Sequence, residues 1–246
     1  MEEEKRMILE LEKLAIGYGK RKKPLIEDID LKVREGEIIS LLGQNGVGKS
    51  TFIYTLSGIT RALKGSIVLY GKDMLKLSPK ELSKNMAALL TRRPETEWMT
   101  VREMVEMGRY PYTGRLGRLG DRDKEIVSDL INELELNELE DKLFYRLSDG
   151  QKQRVMLAKA LCQEPKLLLL DEPAGFLDIK YKIEMTRLLK RLAREKNIAI
   201  IAAIHELDIA KEISDHVLCF KDKKTVFFEK GEDAFQKENI DWLFDI

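Results

Sequence analysis

The spacing of apolar residues predicts that the chain begins with strands and then changes to helix. Residues 7–16 and 26–33 carry apolar positions spaced as in half-buried strands. Residues 37–42 (EIISLL) are nearly all apolar, which is typical of a strand in a parallel sheet that helices cover. A helix is predicted from residue 51 to residue 57. The first part of the chain therefore contains a strand–turn–helix unit preceded by two further strands.

Strand character continues briefly and then disappears in the middle of the chain. A short strand is predicted at 65–72, and Ser78, followed by Pro79 and Glu81, has the residue types of a helix start. From residue 100 to residue 162 the apolar spacing is helical, apart from a glycine-punctuated loop. The helices predicted in this stretch are 100–107, 123–134, 136–143 and 152–162. We interpret the stretch as a helical subdomain inserted in an α/β chain.

Strand character returns in the last third of the chain. Residues 166–170 and 198–204 are apolar runs of the kind found in parallel strands, and residues 180–196 between them have the spacing of an amphipathic helix. Residues 217–220 and 225–228 are predicted to form a closing hairpin, with little structure beyond it. Because strands alternate with helices, the fold class is α/β.

Composition and charge narrow the possible functions. The 246 residues suffice for one α/β domain with a subdomain, and 43 basic residues balance 43 acidic ones, so no overall basic excess points to nucleic acid. Met1 is followed by glutamates where a signal peptide is positively charged, and the apolar runs 167–170 and 198–204 are far shorter than the roughly 20 residues of a membrane helix. We therefore expect a cytosolic protein. Cys162 and Cys219 lack metal-ligand spacing, and packing is the simpler interpretation.

Residues 43–50 (GQNGVGKS) fit the phosphate-loop pattern G-x-x-x-x-G-K-[ST] between a strand and a helix. The glycines allow backbone N–H groups to surround an anion at the helix N-terminus. Lys49 would reach the β- and γ-phosphates, and the Ser50 hydroxyl would ligate Mg²⁺. Tyr18, between two glycines, could stack on a purine ring, although packing is the commoner role of such a tyrosine. The predicted nucleotide-binding residues are Tyr18, Gly43, Gln44, Asn45, Gly46, Val47, Gly48, Lys49, Ser50 and Thr51.

Two carboxylates end the second buried apolar run. Asp171 and Glu172 follow four leucines, which would put them at the carboxyl edge of a parallel sheet, where ligands of open α/β folds bind. Asp171 would hold Mg²⁺ through its water shell, and Glu172 would accept a proton from the attacking water. His205 directly follows the strand predicted at 198–204, from where it could reach the γ-phosphate. Either acid taken alone could instead cap a helix or lie in a solvated loop.

The segment Ser148-Asp149-Gly150-Gln151 precedes the helix predicted at 152–162. Ser148 can cap that helix, whose first N–H groups form an anion site, and taken alone the segment is simply a helix cap. In combination with the phosphate loop and the acidic pair, it resembles the signature motif of the nucleotide-binding subunits of ABC transporters. The resemblance extends over nearly the whole chain.

The resemblance implies a fold and further site residues. The implied fold is a P-loop NTPase core of ABC-ATPase type with an N-terminal antiparallel β subdomain and an inserted α-helical subdomain. It divides a single domain into a core at 1–91 and 165–246 and a helical subdomain at 92–164. The residue roles that it implies are a D-loop at Phe176, Leu177 and Asp178, a switch histidine at His205 and adenine stacking at Tyr18.

The resemblance also implies partners. Two copies would sandwich two ATP molecules with Mg²⁺, and the signature segment of one copy would contact the ATP of the other. Residues 98–112 (WMTVREMVEMGRYPY) are similar to the ATPases of importers for iron-siderophore, haem and cobalamin, although Tyr110 and Tyr112 could simply pack the helical subdomain. The implied assembly is a homodimer on the cytoplasmic side of the membrane, beneath a permease dimer fed by an extracytoplasmic binding protein, without nucleic acid.

Two positions depart from the family pattern. No glutamine lies between Gln44 and Gln151, so the Q-loop glutamine that ligates Mg²⁺ in the family is missing, and we place its position at Arg92. Arginine cannot ligate a cation, but it could contact phosphate. Asp149 replaces a signature glycine, and its carboxylate at about 5 Å from a γ-phosphate oxygen would be repelled by about 3 kcal/mol at an effective dielectric constant near 20. We expect an altered rate rather than lost function.

These departures keep two alternatives open. The chain could bind ATP with little turnover, as a regulatory or degenerate subunit, although Glu172 and His205 argue against that interpretation. It could also be a soluble ABC ATPase that acts on ribosomes or DNA. Such proteins usually carry two cassettes or a long coiled-coil insert, and neither is present in the sequence.

Overall fold

The computed structural model describes residues 5–18, 24–91, 96–114, 117–175 and 178–246, in which the strands form two sheets. The strands are β1 (Met7–Ile16), β2 (Ile26–Arg34), β3 (Ile38–Leu42), β4 (Lys64–Leu69), β5 (Lys72–Asp73), β6 (Met86–Leu89), β7 (Leu167–Asp171), β8 (Ala199–Ala203), β9 (His216–Lys221) and β10 (Lys224–Phe228). The α-helices are α1 (Lys49–Leu56), α2 (Pro79–Asn85), α3 (Val101–Glu106), α4 (Asp121–Glu133), α5 (Asp149–Leu161), α6 (Ile179–Lys196), α7 (Leu207–Ile213) and α8 (Lys237–Phe244).

The larger sheet has the strand order β10-β9-β3-β8-β7-β6 and is parallel except for the edge strand β10. The smaller sheet is antiparallel, with the order β2-β1-β4-β5. Strands β3, β8 and β7 are adjacent, so their carboxyl ends lie at one edge of the sheet, where ligands of open α/β folds bind. These findings confirm the α/β class and the antiparallel N-terminal sheet; the division at residues 92 and 164 stays a prediction.

Side chains at alternate positions of the central strands enter two hydrophobic cores on opposite faces of the larger sheet. Leu168 and Leu170 of β7 pack in the core that also contains residues of α3, α4, α5 and α6. Leu167 and Leu169 pack in the other core, with residues of α1 and the antiparallel sheet. Successive side chains of a strand point to opposite faces, so burial on both faces requires an uninterrupted apolar run. The four leucines of β7 satisfy that requirement.

Strand β6 was not predicted from the sequence. Residues Met86–Leu89 (MAAL) are too few and too uniform to show a period of two, yet they pair with β7 in parallel register, Leu89 opposite Leu170. The strand therefore forms because β7 offers a partner edge, and not because of its local pattern. Its position brings the residues that follow it close to the carboxyl end of β7.

The inserted region contains helices and one isolated bridge, between Thr100 and Leu143, in its described residues. The prediction of a helix at 136–143 is wrong, because a 3₁₀ turn forms there instead, at Asn137–Leu139. The break after α3 follows from close packing on α5. A Cβ atom on Gly108 would lie 2.3 Å from the carbonyl oxygen of Lys159, so only glycine fits.

The chain beyond the hairpin is more structured than the sequence predicted. Helix α7 precedes β9, and a 3₁₀ turn at Gly231–Phe235 leads into α8, which buries Leu243. Asp245 follows α8 and accepts hydrogen bonds from Lys221, at 2.5 Å, and from Gln44 of the phosphate loop, at 2.9 Å. The end of α8 is thus connected to the phosphate loop. In the described ranges, no helix is both long and apolar enough to cross a membrane.

His216, at the start of β9, makes an ion pair with the buried Glu37, whose Oε1 lies 3.7 Å from Nε2. The interaction with Glu37 raises the pKa of His216, against the opposing effect of burial. Burial would raise the pKa of Glu37, but His216 and the backbone N–H of Arg34 outweigh it and lower that pKa. The protonated imidazole therefore stabilises the fold fully below about pH 6.5, and this contribution is lost as the pH rises through the raised pKa.

We predict that His216→Gln lowers the free energy of unfolding more at about pH 6 than at about pH 9, because only at the lower pH is the imidazole of the parent charged while Glu37 is ionised. Urea denaturation of parent and variant at the two pH values measures this difference. An equal loss at both would mean that His216 contributes through contacts that do not depend on its charge, such as the hydrogen bond of its Nδ1 with the carbonyl oxygen of Glu229 or packing on the ring of Phe227, whose centroid lies 5.5 Å away.

Candidate functional site

The phosphate loop has the backbone geometry that anion binding requires. Helix α1 begins directly after Gly48, whose φ of 126° favours glycine, and that helix has no side-chain cap, so its first N–H groups are available to a ligand. Gly43 has a φ of 144°, and a Cβ atom there would lie 2.5 Å from the carbonyl oxygen of Phe220. A side chain at either position would therefore distort the loop.

Lys49 lies across the loop that it belongs to. Its ammonium group donates to the carbonyl oxygens of Gly43 at 2.7 Å and Gln44 at 3.0 Å, and the residue is buried. Burial lowers the pKa of Lys49, while the carboxylates of Glu172 and Asp171 oppose that shift. A buried cation with two nearby carboxylates and a donor-rich loop gives a site suited to a polyanion that arrives with its own divalent cation.

Asp171, the last residue of β7, accepts one hydroxyl on each carboxylate oxygen. The Ser50 hydroxyl donates to Oδ1 at 2.9 Å, and the Thr91 hydroxyl donates to Oδ2 at 2.9 Å. Hydroxyl and carboxylate oxygens are hard ligands of the kind Mg²⁺ takes, with water and substrate phosphate completing the octahedron. In the described chain, no cluster of three or more acidic, histidine or cysteine residues could hold a metal ion without such help. The residues present therefore fit a magnesium ion that is shared with a phosphate ligand.

Glu172 and His205 meet next to this carboxylate. Nε2 of His205 lies 2.7 Å from Oε1 of Glu172, and both side chains are partly exposed to solvent. The backbone of Glu172 is left-handed, with a φ of 56°, and its N–H donates to the carbonyl oxygen of Ala203 at 3.1 Å. Left-handed residues other than glycine are strained and concentrate at functional sites. The Glu172 carboxylate meets His205 just beyond the end of β8, an arrangement that the sequence pattern did not indicate.

A cavity of about 390 Å³ lies beside these groups. It is lined by the phosphate loop and by residues that follow β7 and β8, including Lys49, Ser50, Glu172 and His205, with one side of α6. No described residue of the signature segment lines it. Ser148 instead caps α5, where its side chain accepts a hydrogen bond from the N–H of Gln151 at 3.3 Å, and Gly150 packs near the ring of Tyr181.

The remaining predicted residues lie around the site or outside the described ranges. Tyr18 is 59% exposed, and its hydroxyl accepts a hydrogen bond of 2.9 Å from Thr51. Asp178 caps α6 by accepting from the N–H of Tyr181. Arg92 lies outside the described residues, as do Phe176 and Leu177 of the expected D-loop, so those predictions remain as they were. Thr91 is the residue that sequence analysis missed, because its role depends on the pairing of β6.

The family model described as ABC transporter matches residues 26–175 of this chain. The matched stretch contains the phosphate loop, Asp171 and Glu172 and the segment at Ser148. The chain belongs to the ABC transporter family. Relatives in the same family align with almost the whole of this chain. An uncharacterized ABC transporter ATP-binding protein of Methanocaldococcus jannaschii is 41% identical, covering 97% of this chain and 82% of its own length.

Two further relatives carry more informative descriptions. The iron(3+)-hydroxamate import ATP-binding protein FhuC of Bacillus subtilis is 40% identical to the ABC chain, over 90% of it and 81% of its own length. Among solved structures, a metal-chelate type ABC transporter in an inward-facing conformation has a TM-score of 0.86 and 26% identity, with 98% of this chain and 90% of that chain covered. These findings confirm the ABC-ATPase fold.

Proposed function

We propose that the chain is the ATP-hydrolysing subunit of an ABC importer for iron-siderophore or a related metal chelate. The observation that carries the hydrolytic part is the Glu172–His205 pair at 2.7 Å, which borders the same cavity as Lys49 and Ser50. A carboxylate held by a partner within reach of a phosphate site has the geometry of a general base for water attack. The importer part is supported by the similarity to FhuC, an iron(3+)-hydroxamate import ATP-binding protein, and to the metal-chelate type ABC transporter.

The residues would divide the work of hydrolysis by their positions. The loop N–H groups and Lys49 hold the β- and γ-phosphates, which releases the ammonium group from the carbonyl oxygens of its own loop. Ser50 and Asp171 hold Mg²⁺, which when bound neutralises charge on the phosphate oxygens. Glu172 accepts the proton of the attacking water, and His205 keeps the carboxylate in place and lies close to the γ-phosphate.

A second copy of the chain would complete each site. The cavity beside Lys49 receives no lining from the start of α5 within the described part of one chain, whereas the Ser148 hydroxyl and the first turn of α5 would offer donors to an anion that reached them. Two copies arranged head to tail would bring that segment of each to the ATP of the other. The presence of the γ-phosphate would then decide whether the dimer is closed or open. Only ATP carries this group, which both copies would contact in the closed dimer.

The partners beyond the dimer follow from the importer assignment. We infer a permease dimer above the ATPase dimer and an extracytoplasmic binding protein that delivers the chelate, so the chain works at the cytoplasmic face of the membrane. Trp98 and Tyr110 flank α3 and expose 83% and 57% of their surface. Exposed aromatic residues are enriched at protein interfaces. We therefore infer that the permease contacts the surface around α3.

Asp149 supports one second candidate, an ATP-binding subunit with little turnover. It is the first residue of α5, next to the cap Ser148, so a negative side chain stands at the helix end that would face a phosphate. In this candidate, the chain binds ATP and dimerises but hydrolyses slowly, which the following measurement distinguishes from the first.

We predict that the purified chain hydrolyses ATP slowly and that Glu172→Gln lowers the rate by at least about 100-fold, because glutamine keeps the shape but cannot accept the proton. In ATP and Mg²⁺, the variant should remain dimeric on a sizing column while the parent returns to monomer. Glu212→Gln is the matched control, since it removes a surface carboxylate away from the cavity, which makes an ion pair with Lys190 at 3.2 Å. A parent without turnover that still dimerises would favour the second candidate, and equal rates for parent and Glu172→Gln would exclude Glu172 as the base.

A further inference from the structure

Asp171 is held from two separate elements of the fold. Ser50 ends the phosphate loop and lies in the first turn of α1, and Thr91 lies two residues beyond the end of β6. Each donates a hydroxyl hydrogen bond of 2.9 Å to a different oxygen of the same carboxylate. With both oxygens engaged, the plane of the carboxylate is fixed relative to the phosphate loop.

The position of Thr91 is set by strand pairing. The parallel register of β6 and β7 places Leu89 opposite Leu170, and its continuation would place Leu90 opposite Asp171, so Thr91 lies one position further on at the same carboxyl edge of the sheet. The Thr91 hydroxyl also lies 3.4 Å from the backbone carbonyl oxygen of Asp171. A threonine side chain has only one rotatable bond to its hydroxyl carbon and is restricted at χ1, so the contact is made with little loss of side-chain entropy.

We propose that Thr91 is a positioning residue of the magnesium site, which acts through Asp171. This inference rests on the proposed function, and it gives a role to the hydroxyl of the residue that directly precedes Arg92. The Thr91 side chain orients the Asp171 carboxylate so that its free lone pairs meet the water shell of the ion that Ser50 ligates. Residues that orient a metal-binding carboxylate typically change metal affinity by 10- to 100-fold when they are removed.

The test uses the full chain with Glu172→Gln, so that ATP is not consumed. The affinity of Mn²⁺ for the ATP complex is measured by electron paramagnetic resonance, and the affinity for ATP without metal is measured by calorimetry. Thr91→Val, which keeps the shape and removes the hydroxyl, should weaken Mn²⁺ binding about 10-fold or more and leave metal-free ATP binding unchanged. Thr91→Ser should restore the parent affinity for Mn²⁺. Thr225→Val, in β10 of the hairpin, is the matched control and should leave both affinities unchanged.

The possible failures are distinguishable. Mn²⁺ affinity that is the same in parent and Thr91→Val, in a chain that does bind ATP more tightly with metal, would overturn the assignment of Thr91 and leave the proposed function standing. A loss in Arg92→Gln but not in Thr91→Val would overturn it too, in favour of Arg92. A parent chain that shows no ATP binding, with or without metal, would remove the proposed function and this inference together.

Discussion

Replacing Ser148 with glutamate should abolish the ATP-dependent dimer while each single chain keeps its affinity for ATP. In the Glu172→Gln background, the parent is expected to dimerise in ATP and Mg²⁺. The larger, negative side chain at position 148 would face the γ-phosphate bound by the second copy. At about 5 Å the repulsion is about 3 kcal/mol per site at an effective dielectric constant near 20, and a symmetric dimer contains two such sites. Sedimentation should therefore show the dimer weakened by at least about 100-fold.

The reason that monomer binding is spared lies within the chain. Lys49 and its cavity are formed without α5 in the described residues, so ATP should still reach the phosphate loop of a single copy. Titration with a fluorescent ATP analogue, at a protein concentration below that of dimerisation, measures this affinity. A fall in monomer affinity equal to the fall in dimerisation would mean that Ser148 acts on its own chain's nucleotide, which contradicts the head-to-tail arrangement.

The chain offers a closely matched control. Ser78 caps α2 with the same capping box as Ser148, and its side chain accepts from the N–H of Glu81 at 3.2 Å, against 3.3 Å for the bond from Gln151 to Ser148. Ser78→Glu should thus cost about as much helix stability, on the order of 1 kcal/mol, and leave the dimer unaffected. A dimer that persists in Ser148→Glu, or is lost equally in Ser78→Glu, would end the case for a shared site.

The parts of the site that sequence analysis predicted are those whose chemistry is local. The phosphate loop is a contiguous segment with its strand and helix on either side, so its pattern can be recognised without reference to the rest of the fold. Asp171 and Glu172 were found in the same way, as polar residues that directly follow a buried run. Each of these patterns places the relevant side chain and the element that positions it within a few residues of each other.

The parts that were missed depend on pairing between distant segments. Thr91 reaches Asp171 only because β6 adds to the edge of β7, and four residues without alternation give no sign of that pairing. The left-handed backbone of Glu172 and the bond from Gln44 to Asp245 likewise arise from contacts across the fold. Long-range register and terminal helices such as α8 are decided by tertiary packing, which overrides weak local propensity.

Arg109→Met should destabilise the fold strongly, although the residue lies far from the phosphate loop in sequence. Arg109 is 2% exposed, and its guanidinium donates to Asp123 at 2.9 Å, to Glu164 at 2.8 Å and to the carbonyl oxygen of Cys162 at 2.6 Å. Its carbon centre lies 3.9 Å from the ring centroid of Tyr112. Burial would lower the pKa of Arg109, but the carboxylates of Glu164 and Asp123 outweigh burial and raise it.

Methionine would fill the volume of Arg109, remove the guanidinium from the carbonyl oxygen of Cys162, and leave the Asp123 carboxylate with the backbone N–H of Gly120 but without this cation. Removing one member of a buried ion pair costs about 3 to 5 kcal/mol. Glu164 is 43% exposed on its side chain and can turn to water, so we expect the lower end, about 3 kcal/mol. For a domain of this size, that loss corresponds to a fall in melting temperature of roughly 6 to 12 °C, which calorimetry measures directly.

Arg102 provides the comparison, because it makes an equally short ion pair in a different environment. Its guanidinium lies 2.7 Å from Glu140, but the two side chains are 34% and 31% exposed. Exposed pairs contribute at most about 1 kcal/mol, so Arg102→Met should lower the melting temperature by a few degrees at most. If the two variants lost the same stability, the burial of Arg109 would not be what makes it important. A large loss in Arg109→Met alone would instead show that the buried Arg109 connects the residues after α3 to Asp123 of α4 and to Cys162 at the end of α5.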